Sequence, residues 1–155
     1  MFAILSLKPK YAEAILAGKK RCEFRKVRFS REVRFVIIYA TSPVGKLVGW
    51  FSVEGVETGS PDEIWERTSE DAGISHDEFD YYYNGSSRAI CIRIQDVHRF
   101  EHPIDPKEKQ VDFIIPQSYR YLTEGDREFL SENLDSQSIQ IRDNLYNNSL
   151  DIYRC

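Results

Sequence analysis

The chain has 155 residues, of which 41% are hydrophobic and 30% are charged, and its formal net charge at pH 7 is −4. This length and composition are typical of one soluble globular domain. No apolar run approaches the roughly 18 residues that a membrane-spanning helix needs, and the apolar start of the chain is too short for a signal peptide.

The first third of the chain predicts alternating strands and a helix. Residues Phe2–Leu7 are typical of a strand. Pro9 is compatible with a first helical turn, apolar residues then recur at helical spacing, and Gly18 ends the predicted helix. Residues 21–28 alternate apolar and charged side chains, which indicates a strand with one solvent-exposed face. The apolar run Val33–Ala40 predicts a buried strand.

The remainder predicts further strands and three more helices. We expect strands at residues 46–56 and 89–97, an extended segment at 113–122, and helices that begin near Ser60, Ser75 and Thr123. Successive strands without long crossovers favour antiparallel pairing and exclude a doubly wound nucleotide-binding fold. The predicted fold is therefore α+β: a small, partly open, mostly antiparallel β-barrel with flanking helices. Residues 1–134 are predicted to form the domain, and residues 135–155 a polar tail that is loosely docked or disordered.

The charge of the chain is distributed unevenly. Residues 1–50 carry eleven lysines and arginines against three glutamates, a balance of +8, whereas residues 51–155 carry a balance of −12. A basic segment on an acidic body is typical of a surface that binds nucleic acid. The alternative is a sheet surface whose charge is balanced by acidic helices elsewhere in the fold, and the sequence leaves both open.

One group of charged residues follows the first predicted helix. Alternation along the strand places Arg21, Glu23 and Arg25 on one face, with Lys20 adjacent. A carboxylate between guanidinium groups can orient them to bind a phosphate or a base edge. The alternative is a ladder of ion pairs on a solvent-exposed sheet face, which the spacing alone does not exclude.

Several motifs occur in a recognisable order. The first helix and the following strand carry the pattern G-x-K-x-x-E-x-R from Gly18 to Arg25. The other motifs are the segments Ile4–Tyr11, Tyr39–Val44 and Gly49–Phe51, and the run P-Q-S-Y-R-Y-L at Pro116–Leu122. Together these motifs resemble the ASCH domain family of the PUA-like superfamily, over about residues 2–122.

The resemblance implies a PUA-like β-barrel with a cleft for RNA or for a nucleotide or modified nucleoside, in a protein that is RNA-associated or regulates transcription. We expect binding in a basic cleft as the function, with Tyr119 as a stacking wall and Gln117 reading a base edge. The expected ligand-binding residues are Lys8, Lys20, Glu23, Arg25, Lys26, Ser42, Gln117, Ser118 and Tyr119.

The resemblance also implies an alternative, a hydrolase that acts on a modified nucleoside or on RNA, with Lys20 and Glu23 as the catalytic pair. Some small members of the family are amidohydrolases that deacylate N4-acylcytidine with a lysine, a threonine and a glutamate. Lys20 matches the lysine, but Glu23 occupies the position of the threonine, so the nucleophilic hydroxyl is missing. The family carboxylate would fall near Glu70 or Asp71.

The cysteines and histidines predict no disulfide framework, metal site or cofactor. Cys22 and Cys91 lie in strand-like runs, where a free thiol behaves as a small hydrophobic side chain. We therefore expect a reduced, cytoplasmic protein. His98 and His102 are four residues apart, but Pro103 argues against a shared helical face, and no third ligand has suitable spacing.

Overall fold

The structure is a computed structural model that describes residues 1–109, 112–138 and 141–145. The strands are β1 (Phe2–Leu7), β2 (Cys22–Arg25), β3 (Phe35–Ala40), β4 (Lys46–Gly59), β5 (Ala89–Ile104) and β6 (Tyr119–Tyr121). The α-helices are α1 (Pro9–Leu16), α2 (Pro61–Thr68), α3 (His76–Tyr83), α4 (Pro106–Lys109) and α5 (Glu124–Asn133). In the described part of the chain, no helix is long and apolar enough to cross a membrane.

The strands form one six-stranded sheet in the order β2-β5-β4-β3-β1-β6. The β1–β3 pair is parallel, and α1 and β2 form the connection between these two strands. Every other pair in this sheet is antiparallel. The predicted α+β class, with a mostly antiparallel sheet, is therefore confirmed.

The central strand β3 is apolar and buried throughout because both faces of the sheet are covered there. Alternate residues of β1 point to opposite sides, so Phe2 and Ile4 join a core cluster that includes residues of α5. Ala3 and Leu5 join a second cluster, which includes Ala12 and residues of β3, β4 and β5. A third cluster lies between β2, α2 and α3 and contains Cys22, Phe24, Ile64, Phe79 and Tyr83.

The sheet curls into a partly open barrel. Register shifts interrupt the β4–β5 pairing, and such bulges bend and twist a sheet. At one of these shifts a Cβ atom on Gly49 would lie 2.3 Å from the carbonyl oxygen of His98, so only glycine fits there. The two edges of the sheet, β2 and β6, approach each other. At this point Arg25 Nη1 donates a hydrogen bond to Ser118 Oγ at 2.9 Å. This approach between the two edges is called the seam below.

Three features differ from the sequence-based expectations. β2 pairs with β5 and is not adjacent to β3 in the sheet. Within the predicted extended segment at 113–122, only residues 119–121 form a strand. The expectation of free thiols is wrong for Cys22 and Cys91, which form a disulfide in the structure. The β2–β5 pairing brings together two cysteines that are 69 residues apart, which is a contact that sequence spacing does not show.

The predicted tail lies partly outside the described residues. Within the described part, Ile141 and Leu145 are buried in the same core cluster as Phe129 and Leu130 of α5. Asp135 accepts hydrogen bonds from the backbone N–H of Glu101 and from Ser138 Oγ. These segments therefore contribute to the core, and the domain boundary at residue 134 stays a prediction.

Candidate functional site

A cavity of about 570 Å³ lies beside the seam, between the ends of β1 and β2 and the helices α1 and α3. Cationic, acidic and aromatic side chains share its wall. It is lined by Ser6, Leu7, Lys8, Tyr11, Lys20, Glu23, Phe24, Arg25, Lys26, Ile74, Glu78, Tyr81, Tyr82 and Asn84.

Lys20 is the buried cation of this cavity, with 3% of its surface exposed. Its Nζ donates a hydrogen bond to the Ala72 carbonyl at 2.8 Å and lies 4.7 Å from the centre of the Phe24 ring. Gly73 covers the base of the side chain: it has a φ of +64°, and a Cβ there would lie 2.8 Å from Lys20 Cα. Burial lowers the pKa of Lys20, and the negative charge of Glu23 only partly opposes this effect.

Glu23 and Arg25 form an ion pair next to Lys20. Both lie on β2, on the face opposite Cys22 and Phe24, as alternation predicts. Glu23 Oε1 is 3.3 Å from Arg25 Nε, and the two side chains are 8% and 15% exposed. Arg25 Nε has no geometrically acceptable hydrogen bond, so this contact is mainly ionic. The other end of the guanidinium group reaches Ser118 Oγ, and the Arg25 side chain thereby spans the seam.

The α3 wall of the cavity combines an acid with aromatic rings. Glu78 Oε2 accepts hydrogen bonds from Lys10 Nζ at 3.1 Å and from the Tyr11 hydroxyl at 3.0 Å, and the bond from Lys10 is the main cause of a lowered Glu78 pKa. Tyr81 and Tyr82 follow near the end of the helix, exposed by 87% and 38%. Such exposed rings offer stacking surfaces.

Comparison with known proteins identifies the family. A family model for the ASCH domain matches residues 5–110. The chain is also 32% identical over 124 residues to an ASCH domain-containing ribonuclease of Zymomonas mobilis, covering 77% of this chain and 83% of that protein. The chain belongs to the ASCH family. The expected PUA-like fold agrees with the crystal structure of ASCH from Zymomonas mobilis, which superposes with a TM-score of 0.79 at 29% identity and covers 86% of this chain and 96% of that one.

A second relative matches only in part. The large ribosomal subunit protein uL22 of Ureaplasma parvum is 32% identical over 120 residues. The match covers 77% of this ASCH chain but 38% of the Ureaplasma protein, so the similarity extends over a minor part of that relative.

The structure brings five of the predicted binding residues of this ASCH domain to one cavity. These are Lys8, Lys20, Glu23, Arg25 and Lys26. Ser118 contacts Arg25 at the seam. Ser42, Gln117 and Tyr119 are not among the lining residues; Tyr119 packs edge-on against Phe29 with a centroid distance of 4.7 Å. The roles of all nine residues stay predictions.

The charged face predicted for residues 20–25 is only partly as expected. Glu23 is buried, so it is not part of a solvent-exposed ladder of ion pairs. Arg21 precedes β2, is exposed and does not line the cavity. Neither Glu70 nor Asp71 lines it; Asp71 instead forms an ion pair with Arg93 at 3.1 Å. The cavity acids are Glu23 and Glu78.

Sequence reasoning missed Tyr11, Glu78 and the two exposed tyrosines of α3. Glu78 stands three residues after Ser75, whose side chain caps α3, and this spacing is that of an ordinary helix start. Of the three consecutive tyrosines 81–83, only Tyr83 is buried. The available signal in the sequence was the pair Tyr81-Tyr82 itself, since an aromatic pair at a helix end is not needed for capping.

Proposed function

We propose that this protein binds single-stranded RNA in the cavity at the seam. The observation that carries the proposal is the combination of exposed rings and cations around one cavity. Lys8 and Lys26 are exposed at its wall, and Lys26 Nζ lies 4.8 Å from the centre of the Tyr82 ring. Exposed rings stack on unpaired bases whatever their sequence, and exposed cations neutralise phosphates.

Each group has a distinct role in this proposal. Tyr81 and Tyr82 stack on bases, while Lys8 and Lys26 contact the phosphate backbone. Glu23 orients Arg25, whose guanidinium group donates to a phosphate or a base edge at the seam. The Zymomonas relative is named a ribonuclease, which supports RNA as the ligand. A regulatory role and a cytoplasmic location stay predictions.

A second candidate function is RNA cleavage in the same cavity, which the environment of Lys20 favours. Because burial lowers the pKa of Lys20, a larger fraction of its amine is neutral at a given pH than in an exposed lysine, and only the neutral amine can act as a base. In this mechanism the amine removes the proton of a ribose 2′-hydroxyl, whose oxygen attacks the adjacent phosphorus. The P–O5′ bond to the next nucleotide breaks, its 5′-oxygen takes a proton from solvent water, and a 2′,3′-cyclic phosphate forms, while Arg25 stabilises the charge on the phosphate. The relative's name as a ribonuclease agrees with this chemistry.

Deacylation of N4-acylcytidine has less support. Glu23 stands where the family amidohydrolases have threonine, so Lys20 has no hydroxyl at that position to activate. Ser6 does line the cavity, but its Oγ donates a 2.6 Å hydrogen bond to the Pro116 carbonyl.

One variant, Glu23→Gln, tests the assignment of the site. If the cavity only binds RNA, the loss of the carboxylate releases Arg25, and affinity should fall by about 5- to 150-fold, the equivalent of roughly 1–3 kcal/mol. If the cavity also cleaves RNA, turnover should fall by more than affinity does. Fluorescence anisotropy with labelled RNA and gel analysis of its cleavage provide the two measurements.

Glu57→Gln is the matched control. This substitution also removes a partly buried ion pair, which Glu57 forms with Arg93 at 2.7 Å, but Glu57 does not line the cavity. Its RNA affinity should stay within about twofold of wild type. The site assignment is wrong if Glu23→Gln leaves both affinity and turnover unchanged.

A further inference from the structure

A second groove lies on the segment that follows β2. It has a volume of about 530 Å³ and is lined by residues 28–34 and 53–56. Arg28, Arg31 and Arg34 recur every third residue along it, and all three are exposed. We call this surface the arginine groove.

The arginines of this groove have no acidic partner in the described part of the chain. Arginines elsewhere, such as Arg93, Arg99 and Arg120, form ion pairs with carboxylates. Glu32 and Glu54 also line the groove, but neither forms an ion pair with the three guanidinium groups. Three cations without an ion-pair partner therefore line one groove, although the net charge of the chain is −4. An anionic ligand would supply the counter-charge that these side chains lack.

The backbone of Arg31 and that of Arg34 are held in place by hydrogen bonds. The backbone N–H of Arg31 donates to the Tyr121 hydroxyl at 2.9 Å, and the Arg31 guanidinium lies 5.4 Å from the centre of that ring. Arg34 N–H donates to the Met1 carbonyl at 2.9 Å, and Arg34 C=O accepts from Val53 N–H at 2.8 Å. The guanidinium groups of Arg31 and Arg34 therefore extend from fixed backbone positions, which reduces the entropy lost when they bind a ligand.

The arginine groove is connected to the cavity at the seam. Arg25 lines the cavity and Arg28 lines the groove, and three residues span at most about 11 Å. A second connection runs along β6. Ser118 contacts Arg25, the next residue Tyr119 packs on Phe29 of the groove, and the Tyr121 hydroxyl hydrogen-bonds with Ser30 Oγ at 2.9 Å.

We infer that the arginine groove binds the phosphate backbone of the same RNA strand whose bases enter the cavity. This inference rests on the proposed function and specifies its ligand: an oligonucleotide that extends beyond the cavity, not a free nucleoside or mononucleotide. Guanidinium groups bind phosphate oxygens in a bidentate manner, and their repeated spacing suits a chain of regularly spaced charges.

The test measures the RNA affinity of the full-length wild type and of an arginine variant, for two RNA lengths and at several salt concentrations. The variant Arg28→Gln/Arg31→Gln/Arg34→Gln should bind an RNA of about twelve nucleotides at least about tenfold more weakly than wild type at about 0.1 M salt. The slope of log affinity against log salt should fall by about 2, since each phosphate contact with a single strand contributes roughly 0.7. Its affinity for a trinucleotide should change by less than about twofold.

A control variant removes the same charge elsewhere. Lys46→Gln/Lys107→Gln/Arg127→Gln changes three basic residues that line neither cavity nor groove. It should leave the salt slope within about 0.5 of the wild-type value. The inference is overturned if the two triple variants bind the longer RNA equally well. Binding to anionic vesicles and to an acidic peptide is measured in the same way, and the inference is also overturned if the arginine variant loses affinity for one of these ligands but not for RNA. If wild type binds no RNA of either length, the proposed function fails and the inference fails with it. If Glu23→Gln weakens RNA binding but the arginine variant does not, the inference alone fails.

Discussion

Lys20 is a buried cation in the wall of the candidate site. An ammonium group with 3% exposure is held by one hydrogen bond, to the Ala72 carbonyl, and by the nearby charge of Glu23. Since burial lowers its pKa, the charged form is less stable in the folded protein than in the unfolded chain. A cation retained under these conditions is typical of a functional site.

This shift predicts the pH dependence of stability. Because the pKa of Lys20 is lower in the folded state, the unfolded chain binds more protons between that pKa and the ordinary value of 10.5. Stability should therefore rise with pH across that window. In Lys20→Met this contribution is absent, so wild type should gain stability relative to the variant as the pH rises towards 10.5. Urea denaturation at several pH values measures the difference.

The comparison with the variant isolates Lys20 from the tyrosines, because burial raises the pKa of Tyr39 and Tyr83 in both proteins. If Lys20 is the base for RNA cleavage, the variant should also lose turnover by about 10²- to 10⁴-fold. A stability difference that is constant with pH would contradict the lowered pKa.

Helix α3 is the element that the sequence located but whose contribution to the site it did not reveal. Ser75 accepts a hydrogen bond from Glu78 N–H, so the start of the helix was readable as an ordinary capping pattern. Which of its faces lines the cavity depends on how the helix packs against β2 and α1. Phe79 and Tyr83 pack on Phe24, and this leaves Tyr82 on the cavity side.

Strand β1 and helix α1 were predictable because the features that define them lie within the elements themselves. Their features are local: an apolar run, Pro9 in the first turn and Gly18 after the end. The pairing of β2 with β5 is not local, because it joins residues about 70 positions apart. The disulfide between Cys22 and Cys91 depends on the same pairing, and for that reason the sequence analysis missed both.

Tyr82 provides the prediction for α3. If its ring stacks on an RNA base, Tyr82→Ala should weaken RNA binding by about 5- to 150-fold, since stacking contributes roughly 1–3 kcal/mol per base. Tyr82→Phe keeps the ring and its contact with Lys26, so its affinity should stay within about twofold of wild type. Fluorescence anisotropy with the same labelled RNA measures both. Equal affinities for the two variants would exclude stacking on this ring.

At the scale of the whole molecule, the site exists because the sheet curls. Ser6, Arg25 and Ser118 come from three separate parts of the chain and meet where the two sheet edges approach. The family motifs predicted that Arg25 and Ser118 belong to one site, since the pattern around Arg25 and the P-Q-S run were both recognised, whereas Ser6 was not predicted. Their contact at the seam follows from strand order and curvature, which composition and periodicity do not determine.

An ion pair between Arg120 and Asp126 joins β6 to α5. The Asp126 side chain is 3% exposed, caps α5 together with Thr123, and accepts a hydrogen bond from Arg120 Nη2 of β6 at 3.1 Å. Burial alone would raise the pKa of Asp126, but the hydrogen bonds from Arg120 and from the Thr123 backbone outweigh burial and lower it. The contact between Arg120 and Asp126 therefore connects α5 with β6, the strand at one side of the seam.

Asp126→Asn should consequently destabilise the fold by about 2–4 kcal/mol at neutral pH, because a largely buried arginine loses its counter-charge. The folded pKa of Asp126 lies below its ordinary value of 3.8, so the stabilisation is present above that value and is lost as pH falls through the folded pKa. The stability difference between wild type and variant should therefore shrink only in this acidic range. Glu128→Gln, an exposed carboxylate on the same helix, should change stability by less than about 0.5 kcal/mol. Urea denaturation between about pH 3 and pH 7 measures both variants. If the stability difference between wild type and Asp126→Asn is as large at pH 3 as at pH 7, the charge of Asp126 does not stabilise the contact between α5 and β6.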